Sequence, residues 1–450
     1  MMLLCGYPMA VVPRILQLGS WSYMQFLRLF IALSLVFAGL LIAQPASADT
    51  APPQMTWSDG EHQLRLQTWH QAWVRVMEMN PDTMIGDRDA SWESDVAMRR
   101  MRMLLSGQYE RMEFVLHFGA DNQTFRQGGA ELGVIDAWGA FQLIEDRLTV
   151  GAGLHYWRGI SRLTNNASTS SLALDPPILN WPTVGATDRV ARLPGLFAKG
   201  QLGDLDYRLA LNRPFDPPST TDEEGVTDFH PNPSTFAAEG YFQYFFADSE
   251  PNRLPYLPAT RLGQKKLFNL GLGFYYHPDS MASLDADGAI DNTYDNLALG
   301  ADLFVEHPFA NGSASTAYLS FYHLDMGDDY LRNAGTMNPG EGGSSLNGPG
   351  NAYPVIGTGQ HLYLQAGHLF GHSTTELLRG LQLQPYLATQ LSLFDRLDDP
   401  ALTANIGANW YIYGQTAKVT THYRNRPIFA PDGNHDQRAS EFITQLQFSL

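Results

Sequence analysis

The chain has 450 residues, of which 17% are charged, and a formal net charge of -17. Soluble globular proteins carry roughly 25% charged residues, so this surface is made for something other than bulk water, and the acidic balance argues against a nucleic-acid partner. Aromatic residues reach 12%, with 41 Gly and 27 Pro, a composition of strands and turns rather than helices.

At the N-terminus, Arg28 precedes the 15-residue apolar run LFIALSLVFAGLLIA, and Ala46 and Ala48 occupy the small-residue positions of an A-x-A cleavage site. The run is shorter than the roughly 20 residues a spanning helix needs. Residues 1–48 are therefore expected to be a cleaved secretory signal peptide, translated from Met1 or Met24. Residues 49–60 read as a short periplasmic segment, and 61–450 as one domain. The single cysteine, Cys5, falls within the leader, which also holds Arg14 and Arg28 and no acid. The remainder thus has 27 basic and 46 acidic residues, a net charge of -19, and neither a disulfide nor a thiol site.

From residue 61 onward the chain alternates. Leu64, Leu66, Ala72, Val74 and Val76 are interleaved with Gln63, Arg65, Gln67, Gln71 and Arg75. Met112, Phe114, Leu116 and Phe118 alternate with Glu113 and His117, and Leu205, Tyr207, Leu209 and Leu211 with Asp206, Arg208 and Asn212. Near 147–157 Leu148, Val150, Ala152 and Leu154 oppose Thr149, Gly151, Gly153 and His155. Comparable stretches fall near 95–106, 132–144, 191–201, 236–247, 266–277, 296–306, 314–324, 359–370, 381–394, 401–413 and 416–424. The last ten residues, EFITQLQFSL, repeat the pattern, with Ile443 on the polar side as the exception. A period of two marks strands with one apolar face, and about 16 are counted. Short turns at QYER, IEDR, QLGD and YGQ contrast with long loops near 158–190, 213–235, 277–295, 325–358 and 425–438. Connections of two lengths, together with apolar strands running to the final residue, predict an all-β protein. The expected fold is a transmembrane antiparallel up-and-down β-barrel with short periplasmic turns and long extracellular loops. Aromatic clusters such as Tyr241–Phe246 and Phe274–Tyr276 are candidates for interfacial girdles.

The polar face carries cations. In VAMRRMRMLLSG, Met101, Met103 and Leu105 claim the lipid side, which sends Arg100 and Arg102 inward. The same parity places His155, Trp157, Arg208, Lys418, His422 and Arg424 in the lumen. Lumenal guanidiniums select anions or brace the wall by pairing with carboxylates of an infolded loop. Acids gather in the loops, at Asp82, Asp87, Asp89, Glu93 and Asp95, at Asp222, Glu223, Glu224 and Asp228, and at Asp325, Asp328 and Asp329. DADGAIDNTYD resembles a calcium loop, but Gly288 comes two places early for an EF-hand and no Glu closes the motif. No hydrolase, zincin, P-loop or dinucleotide motif occurs, so neither an enzyme, a cofactor nor a metal is expected. The GAG and GLG triplets within strands read as points of close packing.

RRMRMLLSGQYERMEFVLHFGAD, IDAWGAF, VGAGLHYWRGISRLTN, LDPPILNWPTVGATDRVARLPGLFAKGQLGDLDYRLALNRPF, DDYLRNAGTMN and GTGQHLYLQAGHLF together resemble the phosphate-selective porin O and P family. The resemblance implies a 16-stranded barrel in the outer membrane of a Gram-negative-type bacterium, in contact with lipid and lipopolysaccharide and assembled as a homotrimer. It also implies inward-folding loops and a cation-lined channel for small anionic or hydrophilic solutes. Arg99, Arg100 and Arg102 match the family's arginine-rich strand, and Gly159–Arg189, with LDPPILNWP at its middle, its inward third loop. The candidate anion-binding residues are Arg100, Arg102, Arg158, Arg162, Arg189, Arg192, Arg208, Lys418 and Arg424. Lysines are few, so the family's continuous cationic ladder is not reproduced. A non-selective porin, a plugged barrel serving as scaffold or adhesin, and a barrel-embedded hydrolase are the alternatives.

Overall fold

A computed structural model describes residues 55–450 apart from 122–131, 218–224 and 234–235. The leader and the acids Asp222, Glu223 and Glu224 lie outside the described residues. Sixteen antiparallel strands close into a barrel. In chain order they are β1 (His62–Glu78), β2 (Trp92–Tyr109), β3 (Met112–Ala120), β4 (Gly133–Ile144), β5 (Leu148–His155), β6 (Leu193–Leu202), β7 (Leu205–Asn212) and β8 (Ala237–Phe245). The second half is β9 (Leu267–Leu284), β10 (Ile290–Pro308), β11 (Ala314–Asp325), β12 (Gly359–Leu369), β13 (Gln382–Phe394), β14 (Ala401–Tyr413), β15 (Ala417–Phe429) and β16 (His435–Ser449). Each strand pairs with its sequence neighbour, and β16 returns to β1 in the register Trp69↔Ser449 to Met77↔Glu441. Thr68 N–H donates to the Leu450 carbonyl at 2.7 Å, and the Leu450 N–H returns to Thr68. Below that point Met55–Ser58 pairs with Leu66–Gln63, continuing the wall past the chain end.

The pleat has the expected sense. Leu196, Leu272, Ile406 and Phe448 are more than half exposed on the outer face, while Phe197, Gly271, Gln447 and Ser449 beside them face the lumen and are buried there. Closure leaves no strand edge unpaired inside lipid. Ile443 faces inward with the polar set because it packs against Trp73, Ala97 and Leu174, the last carried into the lumen by the β5–β6 connection.

Three expectations need correction. The stretches 277–295 and 425–438 are mainly strand: β9 and β10 turn at 285–289, β15 and β16 at 430–434. Above the membrane both faces of a hairpin meet water, so the apolar alternation fades while the hydrogen-bond ladder continues. DADGAIDNTYD is one of these turns, with Asp285 accepting from Asp287 and Ala289 N–H, and no cluster suited to a metal occurs among the described residues. The aromatic clusters divide by parity. Tyr244, Phe246 and Tyr276 lie outside, whereas Tyr241, Phe245 and Tyr275 are buried inside. Finally, the β8–β9 connection, residues 246–266, lies on the side of the two-residue turns 110–111 and 203–204, yet it is long and enters the barrel.

Candidate functional site

Two segments enter the lumen from opposite mouths, and the 325–358 connection packs beside the first of them through Met337, Tyr353 and Ile356. The inward loop, residues 156–192, enters from the loop side, and the turn-side segment 246–266 from the other. The inward loop begins with a 3-10 turn, Arg162–Asn165, capped by Ser161, whose Oγ accepts from Thr164 N–H. Trp181 Nε1 donates to the Thr164 carbonyl at 2.8 Å and to the Tyr156 hydroxyl at 3.0 Å, so the loop's two legs are tied to each other. Its backbone reaches the wall at Ile160 because Gly273 and Gly300 face each other across β9 and β10. A Cβ at either would come within 2.5 Å of Ile160 backbone atoms. Leu163, Leu172 and Leu179 then pack against an inner wall of Tyr275, Tyr318, Tyr322, Tyr363 and Tyr386.

The turn-side segment meets this loop inside the barrel. Leu257 N–H donates to the Asn165 carbonyl at 2.7 Å, and Ala167 N–H to the Leu257 carbonyl at 2.9 Å. Glu250, 1% exposed, joins the parts. Its carboxylate accepts from Arg162 Nη2 at 2.9 Å, from Arg261 Nη2 at 2.8 Å and from Asn269 Nδ2 on β9 at 2.9 Å. Burial alone would raise this carboxyl, but the two guanidiniums hold it down at about 2. Tyr256 donates to Asp136 at 3.0 Å, and Lys199 Nζ donates to the carbonyls of Asn252 and Arg253.

Most of the anticipated cations have carboxylate partners. Arg158 pairs with Glu239 at 2.8 Å and Asp188 at 3.1 Å, Arg192 with Asp136 at 3.3 Å, and Arg424 with Glu441 at 3.1 Å. Arg162 is held by Glu250 and lies over the Phe304 ring. Arg208 donates to the Asn165 side chain and the Pro255 carbonyl, with Asp206 beside it at 3.4 Å. Arg102 donates to the Ala120 carbonyl at 2.7 Å, and Lys418 to the Ser171 carbonyl and Gln415 at 3.2 Å each. Arg189 is exposed. The acids were expected chiefly at the mouth; Asp136, Glu239, Asp302 and Glu306 line the lumen instead, all below 4% exposed.

One place has a surplus of cations. Opposite Gln71 and Ala72 the β1–β2 register slips, pairing them with Arg100 and Met98 and leaving Arg99 as an extra residue. This bulge turns two consecutive arginines to the same face, and Arg99 Nε and Arg100 Nη2 reach Asp175 at 3.0 and 2.8 Å. Asp175 belongs to LDPPILNWP at the tip of the inward loop. Here too burial opposes the charge, and the paired guanidiniums keep the Asp175 carboxyl below its ordinary value. Arg99, Arg100, Asp175, Trp181, Tyr363 and Arg424 line a cavity of about 50 Å³ between loop tip and wall. That holds a few waters or one small ion. Above it, residues Val184–Ala186 of the inward loop, Asp228, Phe229 and Tyr330–Asn333 bound a vestibule of about 780 Å³.

Parity reasoning placed Arg100, Arg102, Arg208, Lys418 and Arg424 on the inner face, where they lie. It put Arg75 on the polar face without naming it a candidate, although Arg75 clasps Asp95 and the Thr336 and Met337 carbonyls, and it did not find the Glu250 junction. Pro251, Pro255 and Pro258 in a stretch without alternation were the available signal of a built, non-strand segment.

No family model matches the chain, and no curated protein matches it by sequence. Solved structures do. Salmonella typhi OmpF in complex with daunomycin matches with a TM-score of 0.51 at 9% identity, over 88% of this chain and 100% of that one. The anion-selective porin from Comamonas acidovorans gives 0.50 at 10% identity over 87% and 100%. A Vibrio cholerae outer-membrane protein, OmpT lacking loop L8, gives 0.50 at 8% over 87% and 100%. At such identities the likeness is one of fold. The chain has the sixteen-stranded barrel fold of the outer-membrane porins.

Proposed function

We propose that the protein is a passive diffusion channel of the outer membrane that catalyses no reaction and passes small hydrophilic solutes, with small anions such as phosphate preferred. The observation that carries this reading is the cavity at the loop tip, where Arg99 and Arg100 share the one carboxylate Asp175 and Arg424, itself paired with Glu441, completes the cationic lining. A guanidinium in a narrow wet passage keeps its charge and presents several donors to an oxyanion, and rings of such groups favour anions in pores. The barrel assembles as a homotrimer in lipid and lipopolysaccharide, as the family resemblance implies.

Purified protein in a planar bilayer with asymmetric KCl, then phosphate, provides the test. Conductance with a reversal potential of anionic sign is expected, reduced or inverted when Arg99 and Arg100 become Glu. Absence of conductance would overturn the channel reading. A cationic sign would leave the channel and remove the preference. A second reading, a general porin without charge preference, is favoured by the pairing of Arg158, Arg162 and Arg192 with lumenal carboxylates, and a reversal potential near zero selects it.

A further inference from the structure

We infer that the turn-side segment 246–266 is a second constriction element, which with the inward loop forms one diaphragm across the lumen and sets the largest solute that passes. This deepens the channel reading and rests on it.

A connection between neighbouring strands on the turn side needs only two residues. The wall itself would allow that here, because Phe246 N–H donates to the Phe268 carbonyl and Asp248 N–H to the Lys266 carbonyl. The hairpin is already closed at Asp248 and Lys266, so the residues between them are not required to join the strands. They cross the lumen instead. Asn252 donates to Asp206 on β7, Arg253 to Gln63 on β1, Tyr256 to Asp136 on β4, and Gln384 of β13 donates to Thr260. Leu254 and Tyr256 lean on Trp69, Trp138 and Phe197 of the wall and on Trp157 at the start of the inward loop. From Leu257 to Thr260 the segment runs beside the inward loop, with Ala259 and Thr260 N–H donating to the Ser170 carbonyl. The inward loop meets the remaining wall: Asn409 donates to its Leu172 carbonyl and Gln447 to its Thr169 carbonyl. Together the two segments touch strands around the circumference, and beside Asp175 a small cavity remains between the inward loop's tip, the wall and Thr336 and Tyr353 of the 325–358 connection.

Replacing Ser249–Lys265 by Asn-Gly, a two-residue hairpin turn, removes the element while keeping both strands. The full-length Glu250→Gln variant loosens the junction without shortening the chain. Folding is verified by heat-modifiable migration in detergent. Single-channel conductance and liposome swelling with sugars of increasing size are then measured. The shortened variant is expected to conduct about twofold or more above the full-length protein, with both variants admitting larger sugars. An unchanged conductance and size limit in both would overturn the inference. A silent full-length protein beside a conducting short variant would support the diaphragm and overturn the resting channel. Silence from both overturns both.

Discussion

The two segments in the lumen do similar work with different chemistry. The inward loop is held by shape: backbone seated on opposed glycines, three leucines against a tyrosine wall, a tryptophan bridging its legs. The turn-side segment is held by polar bonds converging on Glu250, Tyr256 and a few carbonyls. Apolar packing is distributed over many contacts and yields gradually, whereas a buried ionic junction depends on each member. The turn-side segment is therefore expected to fail through single side chains, and the inward loop through changes of volume.

Glu250→Ala should have the largest effect. Arg162, fully buried, would lose its carboxylate, and stranding a buried charge costs about 3–5 kcal/mol. Denaturant unfolding in detergent reads this directly, and a loss below about 1 kcal/mol would remove Glu250 from its joining role. Gly300→Val comes next. Its Cβ would stand 2.1 Å from the Ile160 carbonyl oxygen, so the loop must lift, at about 1–3 kcal/mol. Wider conductance with the Glu250 junction intact would show that the two segments move separately. Asp175→Asn is milder, about 1 kcal/mol or less for a pair with partly exposed partners, and its informative readout is a reversal potential shifted further toward anions. Acid is the smallest perturbation over the ordinary range. The folded-state carboxyl of Glu250 lies at about 2 and its ordinary value is 4.5. Its contribution is fully present above the ordinary value and is lost only as pH falls through the folded one. Thermal stability of the wild type should thus differ from that of Glu250→Gln by a constant amount between pH 8 and 5, the difference shrinking toward pH 2.

The strands were legible because lipid imposes one rule on every residue facing it. Leu196, Leu272 and Phe448 obey that rule independently of their partners, so alternation alone located the lipid-facing parts of β1 to β16 and missed only the ends of β9, β10, β15 and β16 beyond the membrane. The bulge at Arg99 was hidden, since its register depends on where β1 pairs. Lumenal side chains answer to one another rather than to lipid. Parity could send Arg100 inward, but the arrival of Asp175, 75 residues away, depends on how a loop folds back. The inward loop was anticipated through the family resemblance, which placed Gly159–Arg189 at the position of an inward-folding loop. The turn-side segment was not, because its purpose is apparent only once Asp248 and Lys266 are seen to be paired already.

The meeting of the first and last strands is also part of the inward loop's seat. Gln71 of β1 and Gln447 of β16 bond to each other at 2.8 Å, and each also donates to the inward loop, at the Ser168 and Thr169 carbonyls. Leu174 of the same loop rests on Trp73 from one strand and Ile443 from the other. The docking surface for the loop thus straddles the seam where β1 and β16 pair. Closure therefore completes one side of the loop's seat, while Gly273, Gly300 and the tyrosine wall supply the other. The loop then acts as a clasp: once seated, it resists the reopening of the joint that made its seat.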